Sequence, residues 1–100
     1  MDINKEVEVL KALADVTRLS IVKELSQHGP LNCSELSDMF DLTQPTLSHH
    51  FKRLIEVDVI VAQKEGTHMI YTLNRKLLGI LKIPVGPPAL FNADDYESVE

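Results

Sequence analysis

Apolar residues recur along the first 57 positions at intervals of three and four, and the interval shortens toward two between residues 59 and 73. That change of period predicts helices followed by a hairpin. Ile3, Val7, Leu10 and Ala14 mark a first helix over residues 4–14, with Asn4 as its N-cap. Asp15 caps a second over 16–28, whose apolar positions are Leu19, Ile21, Val22 and Leu25, and Gly29-Pro30 stops it. Asn32 with Glu35 three residues later reads as a capping box in which Asn replaces Ser or Thr. It opens a short helix over 33–40 that turns Leu36, Met39 and Phe40 inward. Asp41-Leu42-Thr43 leaves room only for a tight connection, with Leu42 as its apolar plug. Thr43 then caps a helix reaching residue 57, and Pro45 sits in the first turn, where its missing N–H costs nothing. Two helices joined by so short a turn have the dimensions of a helix-turn-helix.

Residues 59–64 and 69–73 are rich in β-branched and aromatic side chains and flank Glu65-Gly66-Thr67-His68, a β-hairpin with Gly66 in its turn. A last helix is expected over 74–81, and Pro84, Pro87 and Pro88 forbid its continuation. The expected fold is therefore mainly α with a small β-hairpin, a winged helix-turn-helix. Residues 1–83 form the domain, and 84–100 form a Pro-rich, then acidic tail, extended or disordered unless Val85, Leu90 and Phe91 dock on a partner.

The formal charge of −5 argues at first against a nucleic-acid partner. Its distribution changes the picture. The tail carries Asp94, Asp95, Glu97 and Glu100 with no Lys or Arg. Within residues 43–76, Lys52, Arg53, Lys64, Arg75 and Lys76 outnumber Glu56, Asp58 and Glu65. A phosphate senses charge within a Debye length of roughly 8 Å, so the local excess is the relevant one. The expectation is modest, salt-sensitive binding. Cys33 is the only cysteine, no apolar run approaches the roughly 20 residues of a membrane-spanning helix, and the N-terminus lacks the regions of a signal peptide. The cytosol is the expected compartment.

On a helical wheel starting at Gln44, the residues Leu47, His50, Phe51 and Leu54 share one face. Pro45, Thr46, His49, Lys52 and Arg53 fall opposite, with Ser48 at the edge. Short donors and acceptors lie near the N-terminus and cations further along, the layout of a helix whose first turns meet base edges while later residues meet phosphates. Gln44 suits a bidentate contact to adenine, and the Thr46 methyl suits a thymine methyl. Any surface helix also shows water a polar face.

Leu10-Lys11-Ala12-Leu13-Ala14-Asp15-Val16-Thr17-Arg18-Leu19 resembles the opening motif of the ArsR/SmtB family of bacterial transcription regulators. The run from Leu42-Thr43-Gln44-Pro45-Thr46-Leu47-Ser48-His49-His50 to Phe51-Lys52-Arg53-Leu54 is similar to its recognition helix, and Glu65-Gly66 through Tyr71-Thr72-Leu73 to its wing. The resemblance implies a homodimeric repressor that binds a palindromic operator in double-stranded DNA and is released by an effector. It implies pairing through the first and last helices, for which Val7, Leu10, Leu77, Leu78 and Leu81 supply apolar surface. DNA contacts carried over by position are Thr43, Gln44, Thr46, Ser48 and His49, with Lys52, Arg53, Lys64 and His68 near phosphates. Thr67 stands where many relatives carry Arg, so the wing is expected to be electrostatically weak.

Many members of that family sense metals, and this chain departs from them. Glu35-Leu36 fixes the register of the family's Cys-x-Cys ligand pair at Asn32 and Ser34, and Cys33 falls between, where a small packed side chain is expected. The last helix has neither His nor carboxylate for the second sensor site. No metal, no cofactor and no named effector are expected. His28 suits a helix C-terminus, and His50 suits a partly buried position. Glycine-rich phosphate loops, CxxC, HExxH and GxSxG are all missing, which argues against an enzyme. A protein–protein interaction module on the same scaffold is the alternative, since fold does not fix function.

Overall fold

Side-chain caps set where the helices begin. The computed structural model describes residues 1–83, and the expectations for 84–100, including docking by Val85, Leu90 and Phe91, lie outside the described residues. Its elements are α1 (Ile3–Leu13), α2 (Val16–His28), β1 (Leu31–Asn32), α3 (Cys33–Phe40), α4 (Gln44–Glu56), β2 (Ile60–Glu65), β3 (His68–Leu73) and α5 (Arg75–Ile80). Asp2, rather than Asn4, caps α1, its carboxylate accepting from the Asn4 N–H at 3.0 Å. Asp15 accepts from the Arg18 N–H at 2.9 Å and opens α2. The Asn32–Glu35 capping box is closed in both directions, at 2.8 and 3.1 Å. Asn74 accepts from the Leu77 N–H and starts α5.

The ends of the helices are equally determined. Gly29 follows α2 with φ of 78° and ψ of −155°, a region essentially confined to glycine. At the end of α4 the Asp58 N–H bonds the Ile55 carbonyl (2.9 Å) and the Val59 N–H bonds the Leu54 carbonyl (3.0 Å). That is a Schellman motif, with Asp58 at φ 65° where glycine is usual. Arg18 closes the corner between α1 and α2, its Nε donating to the Ala12 carbonyl at 2.6 Å.

The hairpin pairs Ile60 with Leu73 through Glu65 with His68, leaving Gly66-Thr67 as its loop. Gly66 has φ of 64° and Thr67 does not have a positive φ, the pattern of a type II′ turn, which favours glycine first. A third strand escapes the hydrophobic pattern. Leu31 and Asn32 pair antiparallel with Tyr71 and Ile70, giving the sheet order β1-β3-β2. This short ladder ties the start of α3 to the wing.

The core forms where α4 crosses the other layers. Leu47, Phe51 and Leu54 are fully buried against a cluster that includes Val9, Ile21, Leu25, Leu36, Ile60 and Tyr71. Phe51 packs on Tyr71 with ring centroids 4.1 Å apart and tilted by 32°, joining the helix to the wing directly. Two expectations, for Met39 and for Leu77 with Leu78, are corrected here. Met39 is exposed rather than inward, and Leu19 is only partly covered. Helix α1 buries Val9, Ala12 and Leu13, while Ile3, Val7 and Leu10 face outward. Leu77 and Leu78, offered to a partner subunit by the sequence reading, are buried in the protomer's own core (8% and 0% exposed). A helix as short as α5 has one inward face, and those two leucines are it.

Candidate nucleic-acid interface

The turn before α4 is held by small contacts. Ser37 Oγ donates to the Leu42 carbonyl at 2.6 Å, Asp41 takes the left-handed conformation, and Leu42 is half-buried against the core. Thr43 Oγ accepts from the Thr46 N–H at 3.4 Å and donates to Thr46 Oγ at 2.9 Å. The Thr43 hydrogen is thereby used, while Thr46 keeps its own hydroxyl hydrogen to donate.

From that cap, Gln44, Thr46, Ser48 and His49 are all exposed, and Lys52 continues the same surface. Leu47 and Phe51 anchor the opposite face, so the exposed set is held in fixed rotation about the helix axis. Ser48 and Gln44 also line a cleft of about 390 Å³ between the helix-turn-helix and the wing. Cys33, Thr67, His68 and Tyr71 complete much of its wall. The structure thus brings Gln44, Ser48 and His68 to one groove, although His68 is 20 residues from Ser48 in sequence.

The cations are less uniform. Lys52 is exposed. Arg53, assigned to phosphates by position, is instead held by carboxylates: Glu8 Oε2 lies 3.1 Å from its guanidinium and Glu56 Oε2 lies 3.8 Å away. The Arg53 hydrogen bond holds the Glu8 carboxyl below its ordinary value, helped by Lys11. On the wing, Lys64 stands opposite Met69 and His68 opposite Glu65. A charge facing His68 across the ladder reduces what the tip offers to a phosphate.

A second concavity of about 250 Å³ is lined by Arg18, His49, Lys52, Arg53 and Glu56. Sequence reasoning gave Arg18 no part in this surface; its place inside a long motif was visible, but the approach of α2 to α4 was not.

His50 lies on the covered flank. Its side chain is 18% exposed, Nδ1 is 3.9 Å from Asp15 Oδ2, and Nδ1 is buried without a hydrogen-bond partner. The Asp15 carboxyl is lowered chiefly by the Arg18 backbone N–H, with the Arg18 and His50 charges adding to it. His28 pairs with Glu24 at 3.1 Å at the end of α2. Cys33 is half-covered, and burial pushes its thiol up, away from the reactive thiolate. Among the described residues no three His, Cys, Asp or Glu side chains gather closely enough to hold a metal ion. None of the described helices is long and apolar enough to cross a membrane.

Residues 15–61, from the α2 cap into β2, match the model of the arsR family of bacterial regulatory proteins. The chain is 39% identical over 72 residues to the arsenical resistance operon repressor of Bacillus subtilis, an alignment covering 72% of this chain and 69% of that protein. The crystal structure of the transcriptional repressor PagR of Bacillus anthracis superposes with a TM-score of 0.70 at 32% identity, covering 81% of this chain and 93% of that one. A homodimeric winged helix-turn-helix DNA-binding domain from Mycobacterium bovis shares the fold at 21% identity, with a TM-score of 0.68 over 81% of this chain and 78% of that one.

Proposed function

The chain belongs to the arsR family of bacterial regulatory proteins, and from that premise we propose that it is a transcriptional repressor that binds a palindromic operator in duplex DNA as a homodimer. One observation carries the reading beyond membership: α4 presents Gln44, Thr46, Ser48 and His49 to solvent while Leu47, Phe51 and Leu54 are locked in the core. A helix fixed on one side and polar on the other suits a major groove. In this reading Thr46, Ser48, His49 and Gln44 face base edges. Thr43 lies near the backbone at the exposed amides of the α4 N-terminus, and Lys52, Lys64 and His68 face phosphates. Arg53 contributes less than its charge implies, because Glu8 and Glu56 already neutralise it.

Dimerisation is supported by the outward stripe of Ile3, Val7 and Leu10 on α1, three large apolar side chains left exposed. Leu81, half-buried, is the remaining candidate from the last helix. Two-fold pairing sets two recognition helices one DNA turn apart, roughly 34–36 Å. Residues 1–83 act as the DNA-binding unit, working in the cytoplasm and without enzymatic activity.

The arsenical name of the Bacillus subtilis relative does not carry over. Soft ions are held by thiolates, and these 100 residues contain one cysteine. The test is competition binding between a labelled fragment of the gene's own upstream region and scrambled DNA of equal length. Preference for the upstream fragment supports a sequence-specific regulator; equal binding, or none, refutes it.

A further inference from the structure

The N-terminal half of α1 is held to the rest of the protomer in an unusual way. Every buried residue of this helix, Val9, Ala12 and Leu13, lies in its second half. The first half carries none, yet it bears Ile3 and Val7 of the exposed apolar stripe. Among the described residues, two ion pairs reach it from another element, both from the end of the recognition helix. Lys5 Nζ lies 2.7 Å from Asp58 Oδ2, and Glu8 Oε2 lies 3.1 Å from the Arg53 guanidinium. They are one helical turn apart on α1, as residues i and i+3 are.

Asp58 is the more telling partner. It occupies the left-handed position of the Schellman motif, where glycine has no steric penalty. Its backbone is also engaged, its carbonyl accepting from Asn74 Nδ2 at 2.8 Å. The backbone there is therefore held by the end of α4 and the start of α5, and from it the largely exposed carboxylate reaches Lys5 on α1. Arg53 lies between Glu8 and Glu56 on either side. Lys11, 3.6 Å from Glu8, is the remaining charge of the cluster.

We infer that Lys5–Asp58 and Glu8–Arg53 are a latch that sets the angle between the dimerising helix and the recognition helix, making Lys5, Glu8 and Asp58 positioning residues for DNA binding. The inference rests on the homodimer reading above. Without the latch, the first turns of α1 pivot about the buried seam at Val9, Ala12 and Leu13. The two recognition helices of a dimer then lose their fixed separation. Exposed ion pairs of this kind favour the closed arrangement by about 1.4- to 5-fold each, so losing both raises the open population by about 2- to 30-fold. An effect too small to matter for stability thus becomes large for the spacing of two helices at the far ends of a dimer.

The experiment is pulsed dipolar spectroscopy on the full-length protein without DNA, with a nitroxide at Ser48→Cys in a Cys33→Ser background. Wild-type contacts are expected to give a narrow inter-subunit distance distribution. Asp58→Asn with Glu8→Gln should broaden it while the thermal midpoint moves little; Asn keeps the left-handed backbone. A distribution as narrow in the double variant as in the wild type overturns the latch and leaves the dimer standing. Absence of dipolar modulation in the wild type overturns the dimer reading, and the latch falls with it.

Discussion

Phe51 is where the recognition helix meets the wing, so its removal is the sharpest test of how the interface is built. The ring is 1% exposed and lies 4.1 Å from the Tyr71 ring. Truncating a buried phenylalanine to alanine costs about 3–5 kcal/mol in lost transfer energy and cavity, part of which is the aromatic pair at about 0.5–1.5 kcal/mol. A domain of this size has a total stability of about 4–12 kcal/mol, so Phe51→Ala should leave it marginal. In thermal unfolding followed by circular dichroism, each kcal/mol shifts the midpoint by about 4–8 °C, giving a fall of at least about 12 °C. Phe51→Leu restores most of the apolar volume and loses the ring pair; it should cost about 1–2 kcal/mol. Equal costs for the two variants would show that the site does not discriminate by volume. A cost below about 1 kcal/mol for Phe51→Ala would refute the claim that this contact anchors α4 to the wing.

Three further outcomes are expected. Asp15 is held below the ordinary aspartate value, so its contribution to stability is complete at pH above that value and is lost as pH falls through the folded one. Asp15→Asn, which keeps a capping oxygen, should therefore narrow its gap in urea midpoint from the wild type below about pH 4; a gap independent of pH would remove the carboxylate from the explanation. Gly66→Ala places a side chain at φ 64° in the wing turn and should destabilise by about 1–2 kcal/mol in the same urea assay, although nothing crowds the site; an unchanged midpoint would show that the turn rearranges freely. Ser48→Ala with His49→Ala should weaken specific DNA binding by about 1–3 kcal/mol per lost base contact with the circular dichroism spectrum unchanged, and full retention of affinity would relocate the recognition surface.

The helices were legible because their ends are written in side chains. Asp15, Asn32 with Glu35, and Thr43 with Pro45 each supply a local oxygen or a preset φ, and local chemistry survives whatever tertiary structure surrounds it. The covered face of α1 was not legible for the opposite reason, although Val7 and Leu10 were assigned to an outward surface. Ile3, Val7 and Leu10 make one helical stripe and Val9, Ala12 and Leu13 another, and both satisfy the period; only the position of α2 and α4 decides which is covered. The same dependence misassigned Leu77 and Leu78, apolar residues that the protomer needs for itself. Strand β1 has only Leu31 and Asn32, too few to alternate. The exposed face from Gln44 to Lys52 followed from the wheel, because Phe51 and its neighbours fix the rotation of α4. The partners of Arg53 did not, since Glu8 is 45 residues away.

The most direct test of DNA recognition by this surface is a salt titration of binding to the upstream fragment, for the wild type and for Lys52→Ala. Phosphate contacts release counterions, so the logarithm of the affinity should fall linearly with log salt, with a slope of about −0.9 per phosphate on duplex DNA. A shallow wild-type slope, reduced by about 2 in Lys52→Ala because each subunit of the dimer loses one phosphate contact, is the result expected of a recognition helix whose main free cation is Lys52. Binding that ignores salt, or a slope that Lys52→Ala leaves unchanged, would contradict it.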